Sequence, residues 1–134
     1  MASRSVIAVI NTSPDIVEML RGVLQHAGFV VVSAFTHQIR DGVIDFGTFM
    51  RQHNPSAVIY DIAPPYDANW GLFEHLRAHE TMANCPVVIT STHAAYVQKV
   101  AGESLRIYEI IGRPLDLDEI VRATKEAVRS RPTR

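Results

Sequence analysis

At 134 residues, 47% hydrophobic and 20% charged, the chain has the length of one domain with a full core. Its 13 lysines and arginines against 14 aspartates and glutamates exclude a global field that would draw it to nucleic acid or a membrane surface. A single cysteine, Cys85, excludes an internal disulfide and suits a reducing cytoplasm, and no apolar run reaches membrane-spanning length.

In chain order, Ser5 to Ile10 is a short apolar run and predicts the first strand, ending on Asn11 and Thr12. Thr12 or Ser13 then offers a helix N-cap, Pro14 suits the first turn, and Asp15 and Glu18 suit its dipole. Ile16, Met19, Leu20, Val23 and Leu24 form one helical stripe, and Gly28 supplies the stop signal. Phe29 to Ala34 predicts strand two. A helix through Phe46, Phe49 and Met50 is expected next, although Gly42 and Gly47 interrupt its pattern. The 26 residues between Ala34 and Asp61 exceed what one short helix needs, so an extra turn or loop is expected near Thr36 to Asp45.

Pro55 to Asp61 predicts the third strand. Its continuous apolar run reads as a strand buried on both faces, and Pro64-Pro65 ends it. Asp61 then stands at the carboxyl end of a buried strand, where open α/β sheets place their ligands. A helix is predicted from about Asn69 to His79, with Leu72, Phe73 and Leu76 inward. Cys85 to Thr90 predicts strand four, running into Ser91-Thr92-His93, and a short helix follows from about Ala94 to Val100. Leu105 to Ile111 predicts strand five, stopped by Gly112-Arg113-Pro114. The last helix opens on a capping box over Asp116 to Glu119 and carries Ile120, Val121, Thr124 and Val128 on one stripe. Five strands alternating with five helices make one doubly wound α/β domain over residues 1–130, with a parallel sheet, and 131–134 as a flexible tail.

If the strands are parallel, one sheet edge gathers Asn11, Thr12, Asp61, Thr90, Ser91, Thr92 and Arg113. A carboxylate can accept a phosphoryl group, hydroxyls can hold its oxygens, and a cation can neutralise developing charge. Other features read more plainly. His75 and His79 at i, i+4 lack a third ligand and read as a solvent-facing stripe. His93, after the strand-four hydroxyls, either edges the crevice or is a plain loop residue, and Cys85 reads as packing with no base near it in sequence. Trp70 and Tyr66 form either a docking patch after Asp61 or a hydrophobic closure of the following helix. No glycine-rich phosphate loop follows strand one, which leaves dinucleotide binding without support.

The chain resembles the receiver domain of two-component response regulators from Val6 to about Val128. The resemblance is carried by Pro14-Asp15, by Asp61 with Pro65 four residues on, by Pro86 to Ser91, and by Arg113-Pro114. The gaps of 30 residues from Asp61 to Ser91 and 22 from Ser91 to Arg113 suit that family. With the right-handed crossover rule, it implies a flavodoxin-like, CheY-like sheet of strand order 2-1-3-4-5. It also implies that Asp61 is the phosphoacceptor and that Ser91, Thr92 and Arg113 sense the phosphoryl group. Mg²⁺ would be held by Asp61, the Ala63 backbone carbonyl, and Asn11 and Thr12.

Four positions depart from the family pattern. Asn11 and Thr12 stand where the family has an acidic pair, Arg113 where it has lysine, and Ile110 where it often has an aromatic. Asp15 and Asp67 lie near in sequence and are candidate substitutes, Asp15 being more simply a first-turn helix residue. Weak Mg²⁺ binding is therefore expected, with Asp61 phosphorylated slowly or not at all. The resemblance implies a sensor histidine kinase or other signalling protein as partner, with no nucleic acid or membrane. It also points to a homodimer through helix four (about 94–100), strand five and helix five, the last in the chain. The chain reads either as a phosphorylatable receiver of reduced competence or as a pseudo-receiver, an interaction module that uses the fold without phosphorylation. Beyond phosphoryl acceptance no enzyme activity is expected, and the alternative is a small α/β enzyme using Asp61 as nucleophile.

Overall fold

The computed structural model describes residues 4–102, 107–112 and 114–130, so Arg113 and the 131–134 tail lie outside the described residues. The apolar runs form five parallel strands: β1 (Val6–Asn11), β2 (Val30–Phe35), β3 (Ala57–Ile62), β4 (Val87–Ser91) and β5 (Ile107–Gly112). Their spatial order is β2-β1-β3-β4-β5, as expected for a doubly wound sheet. Every residue of β3 and β4 is buried, which explains why those runs are continuous instead of alternating.

Strand alternation sorts side chains onto two layers. Ala8, Ile10, Val58, Tyr60, Ile62, Val87 and Ile89 face one core, with Phe46, Phe49, Trp70, Phe73 and Val97 from the helices. Ile7, Val9, Ala57, Ile59, Val88 and Ile111 face the other, with Val17, Leu20, Leu24, Ile120 and Ala127. The first layer holds α2 (Thr36–Arg40), α3 (Phe46–His53), α4 (Tyr66–Arg77) and α5 (Ala94–Ala101); the second holds α1 (Pro14–His26) and α6 (Leu117–Ser130).

The capping signals act as read in α1 and α6, whereas Met19, expected on the inward stripe of α1, is exposed and Val17 is buried instead. Ser13 caps α1 by accepting from the Ile16 N–H, and Gly28 takes φ +100 just past its end. Asp116 accepts from the Asp118 and Glu119 N–H groups at the head of α6. Elsewhere three expectations are corrected. Among the described residues there are six α-helices and not five, because the extra segment after β2 winds into α2, with Gln38 bonding back to the Phe35 N–H. The helix expected over 69–79 spans Tyr66–Arg77, since Pro65 already has extended backbone and accepts the Asn69 N–H at 3.0 Å. His79 therefore lies beyond α4, half-buried. Its Nδ1 accepts the Thr81 N–H and so caps the 3₁₀ turn Glu80–Met82. Gly47 does not interrupt α3: it is buried within it, and a Cβ there would come within 2.8 Å of His79 Nε2. Among the described residues, no helix is long and apolar enough to cross a membrane.

Candidate functional site

Asp61 is the penultimate residue of β3 and is 2% exposed. Register places it opposite Thr90 of β4, and both project from the α1/α6 side of the sheet, one step beyond Ile59 and Val88. The Thr90 hydroxyl donates to Asp61 Oδ1 at 2.6 Å, within a pair of fully enclosed side chains. The bond gives the enclosed carboxyl a partner and offsets part of the cost of taking it out of water. Tyr60, next in the chain, points into the opposite core against Phe73. Its phenol is pushed well above the ordinary tyrosine range, by burial first and by the Asp61 charge second.

Asn11 ends β1 on the Asp61 side and is buried. Its Oδ1 accepts the Ser13 N–H at 2.9 Å, so this oxygen shapes the turn into α1. Thr12 is exposed. The Ala63 carbonyl accepts from Asn69 Nδ2 at 2.7 Å, a bond that ties the loop after β3 to α4. Asp15 is exposed in the first turn of α1, and Asp67 accepts from the Tyr96 hydroxyl. That bond to Asp67 is the main reason the Tyr96 phenol is raised.

Ser91 is one residue beyond Thr90, so its side chain turns to the α4/α5 side. Its hydroxyl donates to the Ile62 carbonyl at 2.8 Å and accepts the His93 N–H at 3.1 Å. Thr92 is exposed and shares a 2.6 Å hydrogen bond with the Tyr66 hydroxyl. Tyr66 lies edge-on to His93, which in turn contacts Tyr96. Tyr66, Thr92, His93, Tyr96 and Asp67 thus form a bridge from the head of α4 to the head of α5. Sequence reading separated these residues; the parallel pairing of β3 and β4 brings their loops together. Trp70 takes no part: it packs on Phe73 beneath the Arg77 guanidinium and closes α4 hydrophobically. Cys85 is buried beside the Pro55 carbonyl, as a packing residue. His75 is exposed on α4.

Sequence reading missed two residues. Thr90 was placed in the crevice without a role, although strand alternation alone would have paired it with Asp61. Asn69 left no signal beyond its position in the first turn of α4.

No protein-family model matches the chain. Over 123 residues it is 24% identical to the transcriptional regulatory protein GltR of Pseudomonas aeruginosa, covering 92% of this chain and 48% of that protein. The chain thus spans about half the length of that relative. A sensor protein from Polaromonas sp. JS666 superposes with a TM-score of 0.77 at 18% identity, over 95% of this chain and 98% of that one. A response regulator from Thermotoga maritima gives 0.74 at 18% identity, over 96% and 100%. The chemotaxis protein CheY4 of Vibrio cholerae gives 0.73 at 16% identity, over 93% and 99%. With its five parallel strands in the order β2-β1-β3-β4-β5, this chain has the CheY-like fold of those response-regulator receiver domains.

Proposed function

We propose that this chain is a cytoplasmic signalling module of a two-component system, with Asp61 as its phosphoacceptor position and a degenerate Mg²⁺ site. The observation that carries the reading is the buried Asp61 carboxylate at the carboxyl edge of β3, held by Thr90 in a receiver fold. A carboxylate oxygen there can attack phosphorus while the donor's own bond to phosphorus breaks. Ser91, Thr92 and Arg113 are the proposed phosphate-sensing set. For Ser91 this requires exchanging the Ile62 carbonyl for a phosphoryl oxygen, and for Thr92 releasing Tyr66.

The donors at this edge do not fit a tightly held Mg²⁺. Mg²⁺ prefers carboxylate and phosphate oxygens in near-octahedral array. Here Asn11 Oδ1 and the Ala63 carbonyl are each engaged in the protein's own hydrogen bonds, and Asn11 and Thr12 contribute dipoles instead of charge. Two unit charges about 4 Å apart attract by about 4 kcal/mol at an effective dielectric near 20. Two neutral residues in place of carboxylates therefore weaken metal affinity by several powers of ten. The module accordingly works mainly through protein contact, with a sensor histidine kinase or another signalling protein.

Self-association is proposed through α5, β5 and α6. Arg122 is already committed within the chain, to Glu109 at 2.7 Å and Glu126 at 2.8 Å, so Arg129 is the cleaner probe. Charge reversal at Arg129 should lower the mass seen by light scattering over a concentration series; a strictly monomeric wild type contradicts the dimer. The reading as a whole is tested by incubation with a small phosphodonor and Mg²⁺, followed by intact mass. Slow or no labelling is expected, with any adduct lost in Asp61→Asn. Rapid labelling, or an adduct that survives Asp61→Asn, overturns it.

A further inference from the structure

β2 is an outer strand of the sheet, and outer strands present peptide groups that can template pairing with another chain. Parallel pairing turns the peptide groups of Val30, Val32 and Ala34 towards β1, where the Val30 N–H donates to the Ser5 carbonyl at 2.9 Å. Those of Val31, Ser33 and Phe35 therefore point out of the sheet. The strand, VVVSAF, is rich in β-branched and aromatic residues and carries neither lysine nor proline. Val30 is 41% exposed, and Met19 on the adjoining helix α1 is 36% exposed. By composition this is a hazardous edge.

Two side chains close it, one from each layer. Arg21 of α1 reaches round the edge, donating from one guanidinium nitrogen to the Val31 carbonyl at 3.0 Å and from the other to Ser33 Oγ at 2.7 Å. From α2, Gln38 Oε1 accepts the Phe35 N–H at 3.0 Å. The planar fork of arginine makes both of its contacts at once, which a lysine ammonium would not reproduce. Glu18, one turn earlier on α1, lies 3.5 Å from Arg21 and steadies the guanidinium.

We propose that Arg21 and Gln38 block edge-to-edge pairing of β2 with a second copy of this chain, so that β2 is a latent self-association edge held shut. A symmetric pair would place the two β2 strands antiparallel about a twofold axis, each offering the same outward groups to the other. The inference is independent of Asp61 and of any phosphoryl chemistry.

The test is mass by light scattering over a concentration series, with circular dichroism to verify folding. The variants are Arg21→Ala, Arg21→Ala with Gln38→Ala, and that pair with Ser33→Pro added. The double variant should reach twice the wild-type mass at concentrations where wild type is unchanged, and Arg21→Ala alone should need more protein to do so. Ser33→Pro should restore the wild-type mass, because it removes an outward N–H while leaving the ladder to β1 intact. A folded double variant with wild-type mass throughout overturns the proposal, as does extra mass that survives Ser33→Pro. If the double variant fails to fold, Arg21→Lys replaces it: some gain of mass is expected, and none contradicts the proposal.

Discussion

The two sides of the sheet meet the carboxyl edge differently. On the α1/α6 side the edge is closed and small: Asp61, Thr90 and Asn11 are buried, and a hydroxyl holds the carboxylate directly. On the α4/α5 side it is broad and surface-lying, with Tyr66, Thr92, His93, Tyr96 and Asp67 linked from loop to loop. A one-residue step along β4, from Thr90 to Ser91, moves a hydroxyl from the first environment to the second. Strand parity thus sets the proposed phosphoacceptor and the proposed sensing hydroxyl on opposite faces.

The largest expected effect comes from breaking the closed side. Thr90→Val leaves a buried carboxylate without its hydroxyl donor and should destabilise the fold by about 2 kcal/mol, whereas Thr90→Ser should retain most of the stability. Chemical denaturation of the three proteins measures this. A Thr90→Val loss no larger than that of Ser91→Ala would mean that the two faces are energetically alike. Ser91→Ala removes a hydrogen bond to a backbone carbonyl and should cost about 1 kcal/mol by the same measurement. The open side is weaker still. Tyr66→Phe removes only the bond to Thr92, so about 0.5 kcal/mol is expected, with faster amide exchange confined to residues 92–96.

Two smaller effects sharpen the comparison beneath and beside the site. Among the described residues the Tyr60 hydroxyl is buried with no hydrogen-bond partner, so Tyr60→Phe should be neutral or stabilising. Its folded pKa is raised, so the wild type holds this contribution below about pH 10 and loses it as pH rises; the phenylalanine variant should resist alkaline unfolding better. Asp45, the N-cap of α3, is shifted the opposite way. Its bonds with Thr48 hold the carboxyl below the ordinary range, so its contribution is present above about pH 4 and fades as pH falls through the folded value. Asp45→Ala should flatten the acid limb of a Tm-against-pH curve.

Much of this was legible in the sequence because buried parallel strands announce themselves as unbroken apolar runs. Ala57 to Ile62 and Val87 to Ser91 needed no tertiary information, and Ser13, Gly28 and Asp116 punctuated their helices locally. Asp61 stood out because a carboxylate ended such a run. What stayed hidden depended on pairing between distant segments. That Thr90 holds Asp61 follows from β3–β4 register, and the Tyr66–Thr92 bond joins residues 26 apart in sequence. Helix α2 was obscured because its five residues carry too few turns for a periodic stripe, and Gly47 misled because its role is to admit the His79 ring.

The most direct measurement is a Mg²⁺ titration followed through the backbone amides of Asn11, Asp61 and Ala63 by NMR, on wild type and on Asn11→Asp/Thr12→Asp. The wild type should show little saturable shift in the submillimolar range. The double aspartate variant should saturate there, and adding Asp61→Asn should abolish the response. Submillimolar saturation of the wild type at these amides would contradict a degenerate metal site.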